Sequence, residues 1–150
     1  MSAMIFQDEI RTLIPHASRM CLWESVEHWD AQAIRCHTQS HRDMQNPLRC
    51  NNQLSAIHLA EYGAQAMAIH GGLLAREVGT GPVASGMLVA LRDFVMLVQR
   101  VDNIEHTLIV NARKLVASTT GSIYEFAIEA NRRKLSSGRV SVVIAQAAAV

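Results

Sequence analysis

One carboxylate is set apart by its surroundings. Glu61 lies in LSAIHLAEYGAQAMAIHGGLLAR (Leu54 to Arg76), where a turn of about 100° per residue gathers Ser55, His58, Glu61, Tyr62 and Gln65 into one arc. Every other position from Leu54 to Ile69 is Ala, Leu, Ile, Met or Gly. A helix that apolar is expected to be buried, since its exposure would forfeit roughly 25 cal/mol per Å² of apolar area. A buried Glu needs a partner, and desolvation favours its protonated form, which suits a group that moves protons near neutral pH. His58 stands at the i, i+3 spacing from Glu61 that lets side chains meet, and His41 lies in the polar loop before the helix. Either histidine is a candidate base beside Glu61 as acid. The plainer alternative is that Glu61 and Gln65 hydrogen-bond the layer around them, that His58 bonds Glu61 or the loop, and that His41 is solvated.

The elements that must position these groups follow from periodicity. Gln7 to Ile14 reads as a short helix ended by Pro15, and Met20 to Val26 and Ala33 to Thr38 read as a hairpin turning through EHWDAQ. Gln39 to Gln53 (QSHRDMQNPLRCNNQ) is a loop of unusual length, of the kind that often carries function. Ser55 is the expected N-cap of the central helix, and VGTGP (Val78 to Pro82) ends it. Three strands are expected beyond: Ser85 to Arg100, Thr107 to Thr119 and Ile123 to Ala130. In the last, Tyr124, Phe126, Ile128 and Ala130 face one way and Glu125 and Glu129 the other. NRRKLSSG is expected to turn the chain into a final strand, Val140 to Ala147. One long apolar helix with five to six antiparallel strands implies an α+β domain over residues 1–150 whose curved sheet wraps the helix, the arrangement of the hotdog fold. One sheet layer cannot cover such a helix, so a two-fold homodimer is expected.

Composition narrows the function classes. The chain has 150 residues, 49% of them hydrophobic and 18% charged, as a globular domain should. A net charge of +1 with no basic strip argues against nucleic acid. No run is long enough to span a membrane and no signal-like start is present, so a cytoplasmic location is expected. Cys21, Cys36 and Cys50 are too few for a disulfide framework. Cys36, His37, His41 and Cys50 lack CxxC or HExxH spacing, so no metal site is expected.

Two motifs carry a resemblance to a known family. LIPHASRMCLWESV (Leu13 to Val26) resembles the opening of the (3R)-hydroxyacyl-acyl carrier protein dehydratases, and EYGAQAMA (Glu61 to Ala68) resembles their E-A-L-A-Q helix motif. HRDMQNPLR followed by EYGAQAMAIHGGLL resembles, more narrowly, a divergent branch associated with aryl polyene biosynthesis. The resemblance implies a site at a dimer interface that admits an acyl chain on a phosphopantetheine arm, with no other cofactor. It implies that a loop His takes the proton alpha to the thioester, and that the helix Glu of the other subunit helps the 3-hydroxyl leave as water. Backbone N–H groups near the helix start, around Ser55 and Ala56, would polarise the carbonyl. Glu61 matches the helix carboxylate, Gln65 the family Gln, and His16 the His of the PH pair, read as a structural residue.

The family's loop His has no counterpart. Its nearest match is Asn46, which can hold a carbonyl but cannot accept a proton near pH 7, and Ser55 and Ala56 replace the usual Pro-Gly pair. Three readings follow: a dehydratase with His41 or His58 as base, a thioesterase in which Glu61 activates water, or a non-catalytic, carrier-binding subunit of a heteromeric dehydratase. The substrate would arrive on acyl carrier protein or coenzyme A. Arg113, Lys114, Arg132 and Arg133 are candidates for docking an acidic carrier protein.

Overall fold

The computed structural model describes residues 4–14, 20–79 and 86–144, with side chains left out at 86–89 and 144. The PH pair with His16, and the GP pair at 81–82, lie outside the described residues. The chain begins with a two-residue strand β1 (Ile5–Phe6) and a single turn of helix α1 (Gln7–Ile10). The hairpin β2 (Ser25–Trp29) and β3 (Ala33–Thr38) follows. A loop with one 3-10 turn (Ser40–Arg42) leads through a second (Ala56–His58) into the long helix α2 (Leu59–Glu77). The rest is β4 (Gly86–Met96), β5 (Leu108–Ala117), β6 (Gly121–Ala130) and β7 (Arg133–Ile144).

These strands form one antiparallel sheet in the order β1-β2-β3-β5-β6-β7-β4, curled around α2 in the hotdog arrangement. Seven strands are present where five to six were expected, because β1 adds a short edge beside β2. The other large departure is at β7, which starts at Arg133 and not near Val140. The connection is only Asn131 and Arg132, both with positive φ (50° and 65°), as a two-residue hairpin turn demands. The polar letters after it are strand residues. Ser136 is buried, and Gly138 lies under Phe126, whose ring a Cβ there would meet at 3.3 Å. Gly63 of α2 takes the same ring on its other side, at 2.7 Å from a Cβ position. Small residues are therefore what let the helix and sheet close over Phe126.

The alternation in β6 is as expected: Tyr124, Phe126, Ile128 and Ala130 are buried in a core with Ile34, Val110, Leu59, Ala66, Ile69 and Leu73. The helix is not covered all round. Ile57 is 55% exposed, and Glu61 and Ala68 are exposed with Ala64 and Gly71 half-exposed, so a continuous stripe faces out. No described helix is long and apolar enough to cross a membrane.

Two histidines are locked in the interior. On α2, His70 places Nε2 2.7 Å from the Asp30 carbonyl, which only accepts, so Nε2 carries the proton and Nδ1 accepts from the Tyr124 hydroxyl. His41 is likewise buried, with Nε2 2.9 Å from the Ile104 carbonyl. Burial lowers the pKa of both below the usual 6.5. The unfolded chain therefore binds more protons as pH falls from about 6.5 toward the folded values, and stability is lost across that window. The urea midpoint is expected to be clearly lower at pH 5 than at pH 7.5; an unchanged midpoint would contradict neutral burial of these rings.

Candidate functional site

The candidate residues are sorted by how the loop from Gln39 to Gln53 closes on α2. Asn46 is 6% exposed, and its amide is spent. Nδ2 donates to the Ser40 carbonyl (2.9 Å) and to the Tyr62 hydroxyl (3.0 Å), while Oδ1 accepts from the Leu48 N–H (2.9 Å). Ser40 Oγ donates to the Leu22 carbonyl at 2.6 Å, and therefore accepts from Tyr62 at 2.9 Å. The protons thus run in one direction, from Asn46 to Tyr62 to Ser40 to Leu22. Tyr62 itself is fully buried, edge-on to Trp23 with ring centroids 5.4 Å apart, and burial raises the pKa of its hydroxyl. Asn46 is a structural anchor, with no donor left for a substrate carbonyl.

Gln65, expected near substrate, is similarly engaged. Its Oε1 accepts from the Leu22 and Trp23 N–H groups (2.7 and 3.3 Å), and Nε2 donates to the Met20 carbonyl (2.5 Å). It pins the lead into β2 against the helix. Ser55 does act as the expected cap, accepting from the Ile57 N–H at 3.3 Å. The Ala56 N–H, a candidate carbonyl polariser, instead donates to the Gln99 carbonyl at 2.9 Å, and the His58 N–H returns to Ser55. The helix start therefore offers no free donor at these two positions.

Neither histidine joins Glu61. His41 is wholly buried with Nε2 committed to Ile104, so it is withdrawn from solvent, contrary to the expectation of a mobile loop base. His58 is half-buried, and among the described residues no hydrogen bond links it to Glu61. Glu61 is exposed, not buried as the apolar wheel implied, because it sits on the stripe that the sheet leaves open. Two clefts, of about 620 and 440 Å³, lie on the outer sheet face and between α1 and the loop, and Glu61 lines neither. Among the described residues, Glu61 has no histidine in hydrogen-bonding contact.

The four docking candidates are not one patch. Arg113 is paired with Glu125 at 3.2 Å in mid-sheet, and Lys114, next in β5, alternates to the opposite face. Arg132 and Arg133 stand at the β6–β7 turn with Lys134, all three exposed and without an ion pair among the described residues. That turn lies at the helix-start end, since the Leu97 N–H bonds Leu135 and the next residues, Gln99 and Val101, bond Ala56 and Leu54.

Sequence reasoning passed over a second cluster at this end. Asp102 is nearly buried; its Oδ1 accepts from the Leu54 N–H (2.9 Å) and Arg100 Nε (3.0 Å), and its Oδ2 from Arg100 Nη2. The Arg100 guanidinium holds its carboxyl down to about 2. In the sequence Arg100 reads as the end of a strand and VDNIEH as the turn after it, and nothing there marks Arg100 and Asp102 as a pair. Among the described residues no three His, Cys, Asp or Glu side chains converge as a metal site would need.

Comparison with known proteins bears on the family and the fold. The model of the ApeP-like family, described as ApeP dehydratase, matches residues 8–150. The structure is similar to the dehydratase heterocomplex ApeI:P from Xenorhabdus doucetiae, with 22% identity over 91% of each chain and a TM-score of 0.83. It is also similar to an HP0420 homologue from Helicobacter felis (10% identity, 93% of this chain and 90% of that one, TM-score 0.63). A hypothetical thioesterase from Streptococcus pneumoniae TIGR4, solved with coenzyme A, shares the fold at 10% identity, over 80% of this chain and 84% of that one (TM-score 0.55). No curated protein matches the sequence.

The closed loop makes a direct prediction. Tyr62→Phe strips Asn46 and Ser40 of a shared buried partner and should cost about 1–3 kcal/mol in chemical denaturation. Asn46→His should destabilise as well, with no gain of activity in the isolated chain, because the position is enclosed by hydrogen bonds that imidazole cannot replace together.

Proposed function

Because the chain belongs to the ApeP-like dehydratase family, we propose that it is the acid-bearing subunit of a hydroxyacyl-thioester dehydratase, with Glu61 serving a site completed by a second hotdog chain. The observation that carries this reading is the division of the two half-sites. The loop half, where a base would sit, is closed by Asn46 and Tyr62, whereas the carboxylate half stands open on α2.

Dehydration of a 3-hydroxyacyl thioester removes a proton from C2 and hydroxide from C3. A base must take the first, and an acid must protonate the second as it leaves. In this reading the partner's loop histidine takes the C2 proton and Glu61 delivers a proton to the 3-hydroxyl. The substrate is a (3R)-hydroxyacyl chain on the phosphopantetheine of an acyl carrier protein, as in fatty acid or polyene synthesis. A pair of identical subunits would place Asn46 where each loop base is needed, so of a homodimer and a dimer with a similar subunit this reading takes the second. The Xenorhabdus neighbour's description as a heterocomplex supports this. So does the outer edge of β4, unpaired among the described residues, where Leu91, Val95 and Met96 are 38–48% exposed, with Leu97 just beyond at 52%. Cys21, Cys36 and Cys50 are all free thiols, in keeping with work in the cytoplasm.

Carrier docking is assigned to the turn at Arg132, Arg133 and Lys134. Arg132 holds a left-handed conformation that glycine adopts without strain, at a cost of about 1–2 kcal/mol. A cation kept there despite that cost suits an acidic partner.

The decisive assay follows a 3-hydroxyacyl-pantetheine thioester by mass spectrometry, with the protein alone and with a His-bearing hotdog partner. Water loss is expected only with the partner, and Glu61→Gln should lower its rate by about 10²–10⁴-fold. Full turnover in that variant would end the reading, and release of free acid would indicate a thioesterase. Charge reversal at Arg132 and Arg133 should weaken carrier binding and flatten its salt dependence, while Arg113→Glu should leave both nearly unchanged.

A further inference from the structure

The cluster at Arg100 has features that bracing alone does not need. A guanidinium carries five N–H donors in a rigid fork. Asp102 takes Nε–H and one Nη2–H, fixing the plane of the group. Nη1 has no partner among the described residues, and the side chain remains 40% exposed although its carboxylate partner is only 6% exposed. The arginine is therefore anchored at one edge and open at the other. A second guanidinium, Arg42, donates to the Asp102 backbone carbonyl (3.4 Å), which brings another cation close to the pair while the Asp102 carboxylate stays with Arg100. The Arg100 backbone pairs with Ser55, the residue that caps the helix start, six positions before Glu61. The Arg100 backbone therefore lies beside the residue from which the chain enters the turns that carry Glu61.

An arginine held in this way has lost its conformational freedom before any ligand arrives, which is what makes a good receptor for a tetrahedral oxyanion. We propose that the outward edge of Arg100 binds the phosphate of the phosphopantetheine thioester, with Asp102 as its positioning residue. This inference rests on the dehydratase reading for its substrate but uses residues that the reaction does not. The phosphate fixes one end of the arm at the helix start, and the arm then leads its thioester along the exposed stripe toward Glu61.

The test compares 3-hydroxyacyl-phosphopantetheine with 3-hydroxyacyl-pantetheine, which differ only in the phosphate, using the protein assembled with its partner. The wild type should show a KM about tenfold lower for the phosphorylated substrate, the size of one charge-assisted contact. Arg100→Gln and Arg100→Lys should abolish that preference while leaving kcat and the pantetheine KM in place. The unphosphorylated substrate is thus the folding control within each variant, and Lys, which can keep an ion pair with Asp102, guards against general destabilisation. Carrier-borne and coenzyme A thioesters share the phosphate, and a raised KM on either in the Arg100 variants supports the site. Equal KM values in the wild type, or a preference that survives both substitutions, would overturn it. If Glu61→Gln is inactive in the same series, that failure belongs to Arg100 alone. If Glu61→Gln turns over normally, the dehydratase reading falls and the inference with it.

Discussion

The constraint on which this structure depends is geometric: a single curved sheet can enclose only part of the circumference of one helix. The sheet buries Leu59, Tyr62, Ala66, Ile69 and Leu73 of α2, and the opposite stripe is left to something outside the chain. That stripe is built of Ala64, Ala68 and Gly71, with Glu61 near its head and Ile57 before it. The carboxylate is thus placed where another surface must come, and the missing wall of the fold and the missing half of the site coincide. A second hotdog chain would supply both.

The loop before the helix reaches the opposite state. A loop that offers a base must keep a polar side chain near the substrate and only partly satisfied. Here the polar groups around Asn46 are matched, although His41 Nδ1 and Arg49 Nε are buried without a hydrogen-bond partner among the described residues. Asn46, Tyr62, Ser40 and Leu22 form a directional chain, Arg49 holds the His41 carbonyl at 3.1 Å, and His41 holds Ile104. Such networks are costly to leave half-made and rigid once complete. Asn46 and Tyr62 act as one unit, since the hydroxyl of Tyr62 is what the Asn46 amide binds. An enclosed loop suits a subunit whose partner performs the proton abstraction.

Much of this was legible in the sequence, for physical reasons. The helix shows because its apolar period is long and unbroken, and β6 because its inward and outward residues alternate without exception. The fold follows from those two elements and their order. What was hidden depended on contacts between residues distant in the chain. Alanine is compatible with a buried or an open helix face, so the exposure of Glu61 could not be read from a wheel of small residues. The start of β7 resembles a loop because Ser136 and Gly138 are there to make room for Phe126, a requirement invisible without its neighbours. His70 reads as an isolated polar residue until Asp30 and Tyr124 are seen at its two nitrogens.

The 99–104 segment links these themes. Backbone bonds tie Gln99 to Ala56 and Val101 to Leu54, Asp102 closes the Leu54 N–H, and Ile104 receives His41. One short connection between β4 and β5 therefore sets the height of the helix start and the position of the closed loop at once. It also begins three residues past β4, whose outer edge has no partner strand among the described residues. Any shift in β4 on association would be transmitted through this connection to the first turn of α2, where Glu61 sits.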